Sequence, residues 1–127
     1  ASDPDHFFET CLLGWGGAAP EDFARLDDYR AAWRDPDTIR GIVADYRATV
    51  TADLAADQSD AGRRVDVPSL VVWGETSVMG RLYDVGAIWR DYLADMTTAT
   101  VPGGHFFIDT APRQTAQVLS DHLRAHR

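Results

Sequence analysis

The apolar positions change their spacing once along this chain, near residue 66. Before that point they recur every three or four residues, the period of a helix with one buried face. Pro20-Glu21-Asp22 opens one predicted helix, with proline in the first turn and carboxylates at the positive end of the helix dipole. Phe23, Leu26, Tyr29 or Arg30, and Trp33 follow near helical spacing. Asp35-Pro36 ends that helix and starts another, Asp35 as N-cap and Pro36 at the first helical position. In the second helix Ile39, Ile42, Val43, Tyr46, Val50 and Leu54 share a face. This predicts a helix to about Ala56, packed along most of its length against apolar surface. Residues 57–64 are polar, charged and glycine-containing, as a linker should be.

Beyond the linker, strand and helix patterns alternate. Ser69-Leu70-Val71-Val72-Trp73 has no polar alternation, which suits a parallel strand buried on both faces, with Pro68 at its start. Asp84 caps a helix whose stripe is Val85, Ile88, Trp89, Tyr92 and Leu93. Thr97 to Val101 is β-branched enough for a second strand but too polar for a central one. From Pro112 to about Ala125 a last amphipathic helix turns Ala116, Leu119 and Leu123 inward. Strand, helix, strand, helix predicts a right-handed crossover and a parallel sheet, hence the α/β class. A buried Leu70-Val71-Val72-Trp73 needs neighbours on both edges, and two strands do not supply them. The remainder of the sheet is expected from another chain or from a part that has been cut away. The abrupt, acidic start Ala1-Ser2-Asp3-Pro4-Asp5 agrees with that expectation.

Composition narrows the function classes. The 127 residues, with four Trp, five Phe and four Tyr, suffice for a packed core in one globular unit. Twenty acidic against twelve basic groups give a net charge of −8, which argues against the phosphate-neutralising surface that nucleic acids and anionic membranes require. Cys11 is the single cysteine, so no internal disulfide can form. His6, His105, His122 and His126 are scattered without metal-ligand spacing. Neither metal nor other cofactor is expected, and a reducing cytoplasm is the natural location. No apolar run approaches the ~20 residues of a membrane helix, and the acidic N-terminus is unlike a signal peptide.

The sharpest chemical feature is Pro102-Gly103-Gly104-His105-Phe106-Phe107, a histidine on a glycine-kinked loop after a predicted strand and before a helix. Open α/β sheets place their sites at the carboxyl ends of strands, and paired glycines present a side chain at an unusual angle. This is where an α/β-hydrolase carries its general base. The alternative is a turn histidine that caps the next segment.

Val67-Pro68-Ser69-Leu70-Val71-Val72-Trp73-Gly74, then Gly104-His105-Phe106, then Ala111-Pro112-Arg113-Gln114-Thr115-Ala116 resemble the last two strands and last helix of α/β-hydrolases. Asp35-Pro36-Asp37-Thr38-Ile39-Arg40, followed by Asp45-Tyr46-Arg47-Ala48, resembles the cap of the fluoroacetate and haloacetate dehalogenases of that superfamily. The resemblance divides the chain into a helical cap segment, 1–66, and a β-α-β-α part of the C-terminal core, 67–127. It implies that an aspartate attacks the carbon bearing the halogen, and that His105 activates water to hydrolyse the resulting ester. The nucleophile, the arginines that hold the substrate carboxylate and the oxyanion-hole donors would lie upstream. Tyr46 matches a cap tyrosine that helps bind the departing halide, although its place on the apolar stripe also fits a core tyrosine. Trp15, in Leu12-Leu13-Gly14-Trp15-Gly16-Gly17, matches a pocket-lining tryptophan, with ordinary packing as the alternative. Many α/β-hydrolases carry the triad acid three residues beyond the glycine of Trp73-Gly74. Ser77 stands there, which moves the acid to an earlier strand, with Glu75 and Asp84 as fallbacks. Asp109 reads as a brace for the loop before Pro112.

Three functions follow. The first is hydrolytic dehalogenation of a short haloacid. The second is epoxide or ester hydrolysis on the same fold, for which Tyr29 is a second cap tyrosine. The third is a non-catalytic module whose open sheet edge pairs with another chain. Since catalysis needs base and nucleophile together, the chain alone is expected to be inactive. It is expected to pair with the missing part of the fold or with a second copy as a homodimer.

Overall fold

The computed structural model describes residues 3–127, apart from the side chain of Trp15. The first half is helical. Helix α1 (Pro4–Glu9) starts where the Asp3 carboxylate accepts from the His6 N–H at 3.0 Å. It runs on into a wider π-helical turn, Thr10–Trp15, which closes with the Gly16 N–H donating to the Cys11 carbonyl. Pro20–Asp22 forms only a single tight turn, and helix α2 (Leu26–Arg34) begins afresh at Leu26. The continuous helix expected from Pro20 is therefore broken: Phe23 is extended, and its side chain drops into the core between the two pieces.

Asp35 and Pro36 act as the sequence predicts. The Asp35 carboxylate accepts from the Asp37 N–H at 3.0 Å, and Pro36 is the first residue of α3 (Pro36–Thr49). The helix does not continue to Ala56. At Thr51 the backbone leaves the helical region and its hydroxyl donates to the Arg47 carbonyl at 2.8 Å, a local bond that competes with the helix ladder. Helix α4 (Ala52–Ser59) then takes up the first residues of the expected linker.

The second half contains two parallel strands, β1 (Ser69–Gly74) and β2 (Met96–Val101), in register from Ser69 opposite Met96 to Gly74 opposite Val101. Between them lie α5 (Val78–Leu82) and α6 (Val85–Arg90), the latter capped by Asp84 as predicted, its carboxylate accepting from the Ala87 N–H at 2.8 Å. Arg64 donates to the carbonyls of Arg90 and Leu93, both at 2.7 Å, which satisfies orphan carbonyls after α6 and ties the linker to it. Helices α7 (Phe107–Thr110) and α8 (Pro112–Ala125) close the chain.

The buried core gathers Phe23, Leu26 and Trp33, with Phe8, Leu12, Leu13, Ala18 and Phe106 packed around them. Phe8 stacks on Trp33 with centroids 5.3 Å apart. The Trp33 indole N–H donates to Asp5 at 2.7 Å, and Asp5 also takes the Arg34 guanidinium. These bonds hold α1 against α2.

Three predicted apolar faces are not covered by the described residues. On α3 and α4, Val43, Tyr46, Val50 and Leu54 are exposed. On α8 the expected inward residues Ala116, Leu119 and Leu123 are exposed, while Thr115 is the buried member. Strand β1 is half-buried rather than enclosed, because β2 covers one edge and the described residues offer no strand for the other. The stripes are present and their partners are not among the described residues.

Candidate functional site

The site is built where β1 and β2 end. The two strands finish opposite each other at Gly74 and Val101, so the loops that follow emerge side by side at the carboxyl edge of the sheet. The Glu75 N–H donates to the Val101 carbonyl at 2.9 Å and the Thr76 N–H to the Gly103 carbonyl at 3.0 Å. A Cβ at Gly74 would lie 2.1 Å from the Gly104 carbonyl oxygen, so glycine is required for the loops to touch. Gly103 supplies the reversal with φ of +107°, a left-handed value that other residues rarely adopt.

His105 comes next. Its backbone N–H donates to the Gly16 carbonyl at 3.2 Å, which fastens the loop to the segment after the π-helical turn. A Cβ on Gly104 would sit 2.0 Å from that same Gly16 oxygen, and one on Gly16 would collide with Phe106. The histidine ring is exposed and stands edge-on to Phe106, centroids 5.0 Å apart. Phe106 in turn meets Phe23 at 6.2 Å, and Phe23 meets Tyr29 at 6.5 Å, both edge-on. The Tyr29 hydroxyl donates to the Asp109 carboxylate at 2.8 Å. That bond, then partial burial, raises the phenol above its ordinary value.

Ser77, three residues beyond Gly74, is a structural residue. It is 2% exposed, and its hydroxyl accepts from the Gly80 N–H at 3.1 Å as the N-cap of α5. Glu75 is exposed, and Asp84 is engaged as the cap of α6. Asp109 braces the loop, as expected, but does so by reaching Tyr29 across the chain.

Tyr46 lies in α3 and is 68% exposed; its hydroxyl has no hydrogen-bond partner among the described residues. The reading of Trp15 falls on a side chain outside the described residues. Surface grooves of about 360 Å³ beside α2 and about 290 Å³ between α5 and α6 do not include His105. Among the described residues, no three His, Cys, Asp or Glu side chains are placed to hold a metal ion, and no helix is long and apolar enough to cross a membrane. Sequence reasoning missed the Gly16 carbonyl and the Phe23 and Phe106 rings. The only signal for Gly16 was a Trp-Gly-Gly run without an assigned purpose.

Comparison with known proteins agrees with this architecture. No family model matches the chain. It is 44% identical over 124 residues to a fluoroacetate dehalogenase from Burkholderia, covering 96% of this chain and 41% of that relative. A solved α/β hydrolase from Nostoc superposes with a TM-score of 0.90 at 35% identity, over 96% of this chain and 42% of that one. The chain has the fold of the α/β-hydrolases. Its helices and two-stranded sheet correspond to the C-terminal portion of that fold. A structure from Pseudomonas aeruginosa assigned as an epoxide hydrolase gives a TM-score of 0.81 at 31% identity, over 99% of this chain and 43% of that one. One from Salmonella enterica assigned as an acyltransferase gives 0.90 at 26% identity, over 99% and 42%. The chain thus spans less than half the length of each of these proteins.

Proposed function

We propose that this chain is the histidine-bearing part of a hydrolase that removes halide from short haloacids such as haloacetates. The observation that carries the reading is His105, held on a pinned glycine loop at the carboxyl end of β2 in a chain 44% identical to a fluoroacetate dehalogenase. In this reading residues 1–66 form the cap segment and 67–127 belong to the core. An aspartate outside these 127 residues attacks the halogen-bearing carbon, the carbon–halogen bond breaks, and halide leaves with its electron pair. His105 then takes a proton from water as the oxygen attacks the ester carbonyl. The intermediate collapses, the ester C–O bond breaks, and the departing oxygen takes the proton back from His105 to leave as the hydroxy acid, while the regenerated aspartic acid gives its proton to solvent.

Tyr46 offers a hydroxyl donor to the leaving halide, and Trp15 lines the pocket. Both contribute only when the rest of the enzyme closes over α3. The exposed stripes on α3, α4 and α8 favour such a cover, supplied by the remainder of the fold, with a homodimer as the assembled cytoplasmic form. Alone, the 127 residues lack the nucleophile and do not turn over substrate.

The experiment is halide release, followed with a fluoride electrode or a chloride assay, by the full-length polypeptide that carries this sequence. Release from fluoroacetate or chloroacetate with formation of glycolate supports the reading. Epoxide opening without halide release replaces it with epoxide hydrolysis, which the likeness to the Pseudomonas structure favours as the second reading. Absence of any hydrolysis leaves the interaction module.

A further inference from the structure

The hydrogen bond from Tyr29 to Asp109 joins two elements far apart in sequence. Tyr29 lies in α2, in the helical first half, and Asp109 in α7, four positions after His105. Asp109 is half-buried, and its backbone N–H donates to the Phe106 carbonyl at 3.0 Å, so its carboxylate is carried by the same short turn that carries His105. On the other side of the turn, His105 is tied to Gly16 through its backbone. Tyr29 also stands edge-on to Phe23, which stands edge-on to Phe106, which stands edge-on to His105. Two routes therefore lead from Tyr29 to the histidine: one polar, through Asp109, and one aromatic.

We propose that Tyr29 and Asp109 are positioning residues for His105, their hydrogen bond latching the turn at residues 103–109 onto α2 and so fixing the place of the imidazole above the end of β2. The catalytic half of this inference rests on the reading of His105 as the base. A general base must hold its place within a few tenths of an ångström of the water it activates, and a loop with a left-handed glycine on one side needs fastening on the other. Neither residue needs to touch substrate. Asp109 is bonded to a phenol, and what the bond requires is an acceptor oxygen rather than a negative charge.

The experiment combines kinetics with hydrogen exchange on the full-length polypeptide carrying Tyr29→Phe, Asp109→Ala, Asp109→Asn and the Tyr29→Phe/Asp109→Ala pair. Expected are a kcat lowered about 10-fold with KM changed less than about twofold in Tyr29→Phe and in Asp109→Ala. The pair should be no worse than either single change, as members of one interaction behave. Asp109→Asn keeps an acceptor oxygen and should restore kcat to within about threefold. If the carboxylate were instead the charge partner of the histidine, that variant would lose about 10⁴-fold. Amides of residues 103–110 should exchange faster in Tyr29→Phe and Asp109→Ala, and at the normal rate in Asp109→Asn.

Normal exchange in Tyr29→Phe overturns the latch, and so does additivity in the pair. A loss confined to KM makes Tyr29 a substrate contact and overturns it as well. Turnover that survives His105→Asn overturns the base assignment instead, a failure that the exchange measurement does not share.

Discussion

The backbone N–H of His105 donates to the carbonyl oxygen of Gly16, 3.2 Å away, and the glycines on both sides of that bond have no room for a side chain. The contact joins the loop after β2 to the segment after the π-helical turn, so the position of the histidine depends on residues in the helical half.

Substitution at this contact should be costly. Ala at Gly16 would place its Cβ 1.9 Å from the Leu12 carbonyl, and Ala at Gly104 would place it 2.0 Å from the Gly16 oxygen. Each is expected to lower stability by about 1–3 kcal/mol through forced backbone movement. Gly41, inside α3, has nothing within 4 Å of its would-be Cβ, so Gly41→Ala should stabilise by about 0.5–1 kcal/mol. Denaturant melts of the three variants check both signs.

Ser77→Ala should lower stability by about 1 kcal/mol, because α5 loses its N-cap acceptor. Turnover of the full-length protein should change less than about threefold, since Ser77 holds the start of a helix and carries no chemistry. A thermal melt and a rate measurement on the same variant test the two halves separately.

Acid should loosen α1 from α2. The Arg34 guanidinium and the Trp33 indole hold the Asp5 carboxyl well below its ordinary 3.8, at about 2. A carboxylate with a lowered folded value stabilises in full above the unfolded value and loses that contribution as pH falls through the folded one. The Trp33 indole N–H resonance should therefore shift as pH falls from 3.8 towards about 2, and Asp5→Asn should abolish this acid step.

Tyr29 has the opposite sign. Its raised phenol stabilises in full below 10.0 and loses that contribution as pH rises through the higher folded value. Tyr29→Phe should flatten the alkaline end of the stability profile, read by thermal melting across that range.

Much of the architecture was legible because it rests on local rules. Asp35-Pro36 and Asp84 cap helices where they stand, β1 and β2 fall within a residue of their predicted bounds, and α8 runs from Pro112 to Ala125. The interruption at Thr51 was not legible, since a continuous apolar stripe overrides a single hydroxyl in any periodicity reading. The stripes on α3 and α8 reported a need for cover without reporting that no described residue supplies it. At the site, His105 announced itself through its glycines, whereas Gly16, Phe106 and the bond from Tyr29 to Asp109 depend on which distant segments meet. Short-range patterns carry no record of such meetings.

His105 is proposed to activate the water that hydrolyses the enzyme ester. The most direct test is a rapid-mix measurement of halide released from fluoroacetate or chloroacetate by the full-length protein and by its His105→Asn variant. The variant should release about one halide per active site and then stop, its aspartate left as an ester visible by intact mass. Steady turnover by His105→Asn at the unmodified rate would contradict it.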